Sequence, residues 1–344
     1  MTAHAYTIVI ASYLEGDLVS TIESHGPDLR VLYHPELLPV PRYPCDHNGV
    51  PRDLSPDDRA RWREITAAAD IMFDFDWLEP ETLPARCPRL RWIQATSAGI
   101  GGFMARTGLD HGGIVATTAA GVHAIPLAEF ALTGILHFVK GIPQLSNWQH
   151  ERRWSRYATR QLAGLRAIVV GLGAVGGRTG ATLAALGVRV WGLGRDGHSY
   201  QAPWMERLIR RAELDDALAE ADILVLACPL TPQTEGMIGA AQFGRLKRGA
   251  ILVNVARGQV ADEAALTDAL VRGHLGGACL DVFTHEPLPP DSPLWGLDNV
   301  IISPHSASTV STENVALVEL FVDNLDRYRS GQPLRNTYRP ADGY

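Results

Sequence analysis

The sequence lacks any clustered set of cysteine or histidine residues. Its four cysteines, at positions 45, 87, 228 and 279, include no Cys-x-x-Cys pair, and no two of its 12 histidines form a His-x-x-x-His pair. Zinc sites usually depend on such closely spaced ligands. The sequence therefore predicts free thiols and no metal site.

Basic tracts and long apolar runs are absent as well. No apolar run approaches the ~20 residues that a membrane-spanning helix requires, and residues 1–16 lack the basic and apolar segments of a signal peptide. Lys and Arg are spread along the chain and the net charge is −7, which argues against nucleic acid as the main partner. We expect a cytoplasmic protein that binds neither membranes nor nucleic acid.

The sequence does contain many short apolar segments of strand and helix character. Its 344 residues exceed the ~250–300 beyond which a single core usually splits into two domains. Strands that alternate with helices at this spacing predict a parallel, doubly wound α/β sheet. The predicted strands are 6–12, 31–33, 71–73, 90–94, 167–170, 188–193, 223–227, 251–255, 278–281 and 300–302.

Two helical segments lie near the expected domain boundaries. The mostly apolar segment 126–140 predicts a long buried helix with Pro126 in its first turn. The segment 314–330 predicts a last helix that ends before Gly331. Because the strand–helix repeats occupy the middle of the chain, we expect the two ends to combine. The predicted domains are a dinucleotide-binding domain at 121–309 and a substrate-binding domain formed by 1–120 plus 310–344.

A glycine-rich turn follows a predicted strand in the middle of the chain. Gly171, Gly173 and Gly176 fit the pattern Gly-x-Gly-x-x-Gly between a strand and a helix, which is the context of a dinucleotide-binding turn. Such glycines allow a tight bend, a close approach of the pyrophosphate and close helix packing. The amides at the helix start, including those of Ala174 and Val175, would bind the phosphates. The alternative is a tight turn without a ligand.

The end of the next strand bears on the choice between NAD and NADP. An acid there accepts a hydrogen bond from the ribose 2′-hydroxyl of NAD, whereas an arginine accommodates the 2′-phosphate of NADP. Gly194 stands where the acid is expected, and Arg195 follows it. This favours NADP. The alternative is NAD, with Asp196 reaching the ribose if the strand ends one or two residues later.

Three polar residues follow later strands in the order arginine, glutamate, histidine. Because ligands bind at the carboxyl ends of strands in open α/β sheets, Arg257, Glu286 and His305 are expected to face the same ligand. An arginine binds a carboxylate through two parallel hydrogen bonds, a histidine exchanges protons near neutral pH, and a carboxylate stabilises an imidazolium. This set suits the reduction of a 2-oxo acid. Taken singly, each residue fits an ordinary surface, loop or hydrogen-bonded position better than a catalytic one.

These motifs together resemble the D-isomer-specific 2-hydroxyacid dehydrogenase family, which includes glyoxylate/hydroxypyruvate reductases, phosphoglycerate dehydrogenases and D-lactate dehydrogenases. The resemblance covers about residues 90–310, and the preceding residues match only in general pattern. It implies a Rossmann nucleotide-binding domain, a smaller flavodoxin-like α/β substrate domain and a homodimer. The matching segments are 96–99, 126–129, 165–176, 228–234, 253–266, 277–289 and 303–305.

The resemblance also implies roles for single residues. Arg257 would bind the carboxylate and carbonyl of the substrate, His305 would be the acid/base, and Glu286 would be its partner. The backbone amides of Ala98 and Gly99 would also receive the carboxylate. The further cofactor contacts would be Asp281, at the nicotinamide carboxamide, and Pro229 and Thr234, at the border of the cofactor.

The loop 73–77 departs from an anion-binding pattern. It contains Asp74 and Asp76 beside aromatic residues, with no arginine or lysine. If these carboxylates border the substrate, they disfavour a phosphorylated one by charge repulsion. Alternatively, the loop only packs the smaller domain.

The activity that the sequence predicts is reduction of a 2-oxo acid to a D-2-hydroxy acid, with NADPH favoured over NADH. Two alternatives stay open. One is NAD-dependent oxidation of a D-2-hydroxy acid, and the other is a non-catalytic protein that senses a dinucleotide on the same scaffold.

Overall fold

A computed structural model describes residues 5–111 and 113–340 of the chain. The chain divides into two compact units, one formed by Met1–His123 with Thr309–Tyr344 and the other by Ala124–Ser308. The sequence predicts the two crossings near 120 and 310. Residues 1–4, 112 and 341–344, which the predicted domain ranges include, lie outside the described residues.

Each unit is built around one parallel sheet. The strands of the first unit are β1 (Tyr6–Ile10), β2 (Leu29–Tyr33), β3 (Ile71–Phe73), β4 (Trp92–Gln94) and β5 (Val115–Thr117). Those of the second unit are β6 (Arg166–Val170), β7 (Arg189–Leu193), β8 (Arg207–Ile209), β9 (Ile223–Leu226), β10 (Ala250–Asn254), β11 (Leu275–Leu280) and β12 (Val300–Ile302). The strand orders are β2-β1-β3-β4-β5 and β12-β11-β10-β9-β6-β7-β8.

The two strand orders define the fold class. The first is the 2-1-3-4-5 order of a flavodoxin-like sheet. In the second, β8 to β11 follow the 3-2-1-4-5-6 order of a Rossmann domain, and β12 extends the edge beyond β11. The winding direction reverses between β6 and β9, which is where a doubly wound sheet binds its ligand. The predicted fold class is confirmed.

Helices connect the strands. Those of the first part of the chain are α1 (Gly16–Glu23), α2 (Pro56–Ala67), α3 (Leu83–Arg86) and α4 (Gly101–Thr107). The others are α5 (Ala124–Val139), α6 (Ile142–His150), α7 (Ala174–Ala185), α8 (Leu214–Leu218), α9 (Ala240–Arg245), α10 (Glu263–Val271) and α11 (Glu313–Arg329). Within the described residues, no single helix is long and apolar enough to cross a membrane, and α5 with α6 meets that length and composition only as a pair bent by 62°.

Helix α11 belongs to the first unit because its side chains enter the core of the first sheet. Phe321 stacks on Trp92 with ring centroids 5.1 Å apart and meets Phe73 edge-on at 5.4 Å. The fully buried Asn324 donates a hydrogen bond to Gln94 Oε1 at 3.0 Å. A buried amide needs such a partner, so this contact fixes the helix on the sheet.

Helix α5 packs closely on the second sheet through a glycine. A Cβ on Gly134 would lie 2.3 Å from Cys279 Sγ, so only glycine permits this approach to β11. Cys279 is fully buried, and burial raises the pKa of its thiol to about 12. All four cysteines are free and buried.

Two of the four edge strands, β5 and β8, are missing from the sequence prediction, whereas the edge strands β2 and β12 are predicted at 31–33 and 300–302. In β8, Arg207 and Leu208 are exposed, and in β5 Val115 is exposed. An edge strand buries less of its surface than a central one, so its apolar pattern is weak.

Candidate active site

The glycine turn lies between β6 and α7, at the carboxyl end of a central strand. Gly171 has a φ of +94°, in the left-handed region that favours glycine. A Cβ on Gly176 would lie 1.8 Å from the carbonyl oxygen of Gly171, and one on Gly171 would lie 2.6 Å from the backbone of Cys228. Both positions therefore require glycine for lack of space.

The start of α7 has the chemistry that a pyrophosphate requires. Gly173 provides no side-chain cap, and the first turn contains no acidic residue. A Cβ on Gly173 would meet no atom within 4 Å, so the space in front of the helix is open. Ala174 and Val175 belong to the first turn, where N–H groups lack helical acceptors and attract anions. The turn thus fits a dinucleotide.

The segment after β7 contains the residues predicted to distinguish NADP from NAD. β7 ends at Leu193, so Gly194 directly follows the strand, and Arg195 is exposed beyond it. The NAD alternative required a strand one or two residues longer, which would bring Asp196 to its end. The strand does not extend that far.

The segment after β9 is closed by Thr234. Its hydroxyl donates to the carbonyl oxygen of Pro229 at 2.7 Å and accepts from the amide of Thr231 at 2.8 Å. Because β9 pairs with β6, this segment begins beside the glycine turn. Cys228 is buried there, and burial raises the pKa of its thiol to about 11.

Glu286 and His305 meet side chain to side chain. Glu286 Oε2 lies 2.7 Å from His305 Nδ1, across a separation of 19 residues in the chain. Glu286 Oε1 accepts a hydrogen bond from the amide of Phe283 at 2.9 Å. The two side chains are 37% and 43% exposed, respectively. The carboxylate is thus held by its own loop through one oxygen and holds the imidazole with the other.

Asp281 shapes the segment that presents His305. Its buried Oδ1 accepts hydrogen bonds from Ser303 Oγ at 2.6 Å and from the amide of Ala307 at 2.9 Å. Between them, His305 has a φ of +54°, in the left-handed region that non-glycine residues seldom adopt. Burial raises the pKa of Asp281, and the hydrogen bond from Ser303 opposes that rise. The predicted contact of Asp281 with the nicotinamide stays a prediction.

Asn254 positions Arg257. The buried Asn254 side chain accepts from the amide of Ala256 at 3.1 Å and donates to the carbonyl oxygen of Arg257 at 3.2 Å. On the other side, a Cβ on Gly258 would lie 1.9 Å from the carbonyl carbon of Phe283. The backbone of Arg257 is therefore fixed on both sides, while its side chain is half-buried.

Two side chains that sequence reasoning missed hold the loop of Glu286. Glu263 Oε2 accepts from the amide of Thr284 at 2.9 Å, and Gln259 Nε2 donates to the carbonyl oxygen of the same residue at 3.1 Å. The amide N–H and the carbonyl oxygen of Thr284 are therefore both hydrogen-bonded to side chains. The signal in the sequence is weak, since it consists of two polar residues shortly after Arg257.

Arg257, Glu286 and His305 follow β10, β11 and β12, which are neighbours in one sheet. They supply a cation, a carboxylate and an imidazole at adjacent strand ends. Such a set can bind an anionic carbonyl compound and exchange one proton with it. Within residues 5–111 and 113–340, no three His, Cys, Asp or Glu side chains are grouped so as to hold a metal ion.

The two aspartates after β3, in the first unit, differ in their surroundings. Asp76 is fully buried, with Arg86 Nη2 2.6 Å from its Oδ2 and Trp62 Nε1 donating to its Oδ1 at 2.9 Å. Its charge is compensated inside the unit, which favours the alternative that this part of the loop packs the smaller domain. Asp74 is half-buried and accepts from Thr96 Oγ1 at 3.1 Å.

Ala98 and Gly99, the predicted substrate contacts of the first unit, are exposed between β4 and α4. The start of this segment is fixed, because the amide of Ala119 donates to the carbonyl oxygen of Ser97 at 3.0 Å. Exposed residues of this kind are accessible to a ligand. The substrate contact itself stays a prediction.

The Rossmann sheet and its glycine turn define an α/β protein that binds a dinucleotide. Residues 132–307 match the model of a family described as D-isomer specific 2-hydroxyacid dehydrogenase, NAD binding domain. The chain is also 30% identical over 275 residues to a hydroxypyruvate reductase from Blautia hydrogenotrophica, a match that covers 77% of this chain and 84% of that protein.

Two solved structures are similar over nearly the whole chain. A D-isomer specific 2-hydroxyacid dehydrogenase from Xanthobacter autotrophicus, in complex with NADPH and MES, is 31% identical with a TM-score of 0.78, and the match covers 98% of this chain and 99% of that one. An NADPH-dependent glyoxylate/hydroxypyruvate reductase from Sinorhizobium meliloti, in complex with NADP and sulfate, is 25% identical with a TM-score of 0.77, covering 98% and 100%.

The chain therefore belongs to the D-isomer-specific 2-hydroxyacid dehydrogenase family, as the sequence motifs predict. It is an NAD(P)-dependent oxidoreductase that interconverts 2-oxo and 2-hydroxy acids. The predicted enzyme class and the use of NADP or NAD as cofactor are both confirmed.

Proposed function

We propose that this chain uses NADPH to reduce a small, unphosphorylated 2-oxo acid to a D-2-hydroxy acid. The observation that carries the proposal is the 2.7 Å contact between Glu286 Oε2 and His305 Nδ1. It provides an oriented imidazole at a strand end next to that of Arg257. The pair favours catalysis over the sensing of a dinucleotide alone.

His305 exchanges the proton through Nε2. Because Nδ1 faces Glu286 Oε2, that nitrogen keeps its proton, and the opposite ring nitrogen is the one that acts. In reduction, the imidazolium gives its Nε2 proton to the substrate oxygen, while the negative charge of Glu286 stabilises the charged ring. In oxidation, the same nitrogen takes the proton from the substrate hydroxyl.

Arg257 binds and orients the substrate. Its planar, positively charged guanidinium forms parallel hydrogen bonds to a carboxylate. A fixed cation also polarises the neighbouring carbonyl group and stabilises the negative charge that develops on its oxygen. The amides of Ala98 and Gly99 supply the further contacts of the carboxylate.

The domain formed by the middle of the chain holds the dinucleotide, and the domain formed by the two ends binds the substrate. When bound there, the dinucleotide would provide the hydride for reduction and the hydride acceptor for oxidation. The glycine turn binds the pyrophosphate through its amides. The residues proposed to hold the dinucleotide are Gly171, Gly173, Ala174, Val175, Gly176, Arg195, Pro229, Thr234 and Asp281.

Two observations favour NADPH over NADH. Gly194 leaves no carboxylate at the first position after β7, and a charge-assisted contact from Arg195 to the 2′-phosphate would contribute about 1.5–3 kcal/mol. In addition, both similar structures contain NADPH or NADP.

A small substrate without a phosphate group agrees with the names of two of the relatives, which are reductases of hydroxypyruvate and glyoxylate, whereas other relatives are named D-3-phosphoglycerate dehydrogenase. The loop after β3 also disfavours a phosphate group. Asp74 is hydrogen-bonded to Thr96, two residues before Ala98, so a phosphate near this segment would meet a carboxylate.

Initial rates with glyoxylate, hydroxypyruvate, phenylpyruvate and 3-phosphohydroxypyruvate, each with NADPH and with NADH, test the proposal. We expect kcat/KM to be at least about tenfold higher with NADPH, lowest for the phosphorylated substrate, and the product to be the D-isomer by chiral chromatography. Higher kcat/KM with NADH would contradict the cofactor preference. Binding of NADP⁺ without turnover of any 2-oxo acid would favour the sensing alternative.

A homodimer and a cytoplasmic location complete the proposal. The homodimer is supported by the family to which the chain belongs. Light scattering on the purified chain measures the mass of the assembly, and cell fractionation measures the location.

A further inference from the structure

The turn after β7 places an aromatic ring where an NAD-binding strand end carries its acid. Gly194 is the first residue after β7, and Tyr200 lies further along the same turn. A Cβ on Gly194 would lie 2.1 Å from Tyr200 Cε2, 2.5 Å from Cδ2 and 2.7 Å from Cζ. Real Cβ atoms essentially never come within 3.0 Å of another heavy atom in this way. The ring therefore fills the space that any side chain at position 194 would need.

The ring is held by contacts within the turn. The hydroxyl of Tyr200 accepts a hydrogen bond from the amide of Arg195 at 3.3 Å. The turn is closed by a hydrogen bond from the amide of His198 to the carbonyl oxygen of Arg195, also at 3.3 Å, and Gly197 allows the bend with a φ of +77°. Tyr200 is half-buried. A side chain at 194 would therefore have to displace the ring and break its hydrogen bond.

We infer that Tyr200 and Gly194 together determine the dinucleotide specificity of this enzyme. The ring occupies the space that a carboxylate at position 194 would need at the end of β7. That carboxylate would accept from the ribose 2′-hydroxyl of NAD and would repel a 2′-phosphate. The inference rests on the proposed preference for NADPH, and it attributes part of that preference to a residue other than Arg195.

Specificity that depends on Gly194 alone and specificity that also depends on the Tyr200 ring predict different effects of Gly194→Asp. If Gly194 alone mattered, Gly194→Asp would create an NAD site. If Tyr200 occupies the space, the new carboxylate cannot reach the ribose position while the ring is present. Only the double variant, Gly194→Asp with Tyr200→Ala, is then able to bind NAD⁺ through the carboxylate.

The test measures dissociation constants of NADP⁺ and NAD⁺ by titration calorimetry for the wild type, Gly194→Asp, Tyr200→Ala and the double variant. We expect Gly194→Asp to tighten NAD⁺ binding by less than about twofold in the wild-type background and by about tenfold or more in the Tyr200→Ala background. The carboxylate should weaken NADP⁺ binding in both. An equal gain in NAD⁺ affinity in the two backgrounds would overturn the inference.

A second cycle keeps the inference testable if an aspartate at 194 prevents folding. Gly194→Ala should lower the melting temperature in the wild type and in the matched control Tyr200→Phe, which keeps the ring. In the Tyr200→Ala background, the same change should have no such effect. Equal changes in melting temperature in all three backgrounds would contradict the conclusion that a Cβ at position 194 and the Tyr200 ring need the same space. Tighter binding of NAD⁺ than of NADP⁺ by the wild type would instead contradict the proposed function, whether or not the effects of substitutions at positions 194 and 200 depend on each other.

Discussion

Two segments at strand ends of the second unit are built in opposite ways. The turn after β6 depends on the absence of side chains, because Gly171 and Gly176 lie too close to backbone atoms to carry a Cβ. The segment after β12 depends on side chains, because Asp281 shapes it and Glu286 holds His305 within it. The first offers backbone amides to a ligand, and the second offers an imidazole ring held by a carboxylate.

This difference predicts different responses to substitution. A single methyl group in the glycine turn collides with backbone, which cannot move without distorting the strand and helix it joins. Replacement of His305 removes a chemical group and leaves the glycine turn intact. The two segments should therefore be separable by measuring dinucleotide binding and turnover independently.

The largest effect is expected for Gly176→Ala. Its Cβ would lie 1.8 Å from the carbonyl oxygen of Gly171, so we expect dinucleotide affinity to fall by about a hundredfold or more and the melting temperature to drop. Calorimetry and thermal unfolding measure both. The matched control is Gly177→Ala, where a Cβ meets no atom within 4 Å and alanine favours the helix by about 1 kcal/mol. Equal losses of affinity and melting temperature in the two variants would contradict the conclusion that Gly176 is required because a Cβ there has no space.

His305→Ala should lower kcat by about a hundredfold to ten-thousandfold while the dissociation constant of NADP⁺ stays within about twofold. The reason is that the variant removes the proton donor and leaves the glycine turn unchanged. Steady-state kinetics and calorimetry on the same preparation test it. The exposed His285 on the loop of Glu286 provides the control, since His285→Ala should retain turnover. Wild-type turnover in His305→Ala would remove His305 from the mechanism.

Asn254→Ala should have a smaller effect, on substrate binding. It removes the hydrogen bonds that fix the backbone at Ala256 and Arg257, so we expect KM for the 2-oxo acid to rise by about tenfold, with NADP⁺ affinity unchanged. Asn299, which donates to the carbonyl oxygen of Leu270 in the same unit, is the matched control. A rise in KM of the same size in Asn299→Ala would show a general loss of stability instead.

The smallest effect is expected for Cys228, which lies directly behind the glycine turn. Burial raises the pKa of its thiol to about 11, so very little thiolate exists at neutral pH. Iodoacetamide should therefore leave dinucleotide affinity and turnover unchanged over hours, and mass spectrometry should find Cys228 unmodified. Rapid alkylation with loss of NADP⁺ binding would show that the turn opens more easily than its packing indicates.

The order of strands and the glycine turn could be predicted because both depend on local requirements. Buried central strands such as β6 and β9 appear as continuous apolar runs, and the turn requires glycine wherever a side chain would collide with backbone. The edge strands β5 and β8 could not be predicted, because exposure on one side weakens the apolar pattern. Asp76 could not be placed either, since its partners Trp62 and Arg86 lie 14 and 10 residues away in the chain.

The sequence by itself determined the family, the two-domain plan and the identity of the residues that follow each strand. Only the tertiary structure decided which side chains hold them. Glu286 contacts His305, and Asn254 donates a hydrogen bond to the carbonyl oxygen of Arg257. Glu263 and Gln259 bind the backbone of Thr284, and the ring of Tyr200 occupies the space beside Gly194. The physical reason is that strand and turn formation depend on neighbouring residues, whereas the orientation of a side chain depends on hydrogen bonds and contacts with residues that folding brings to it.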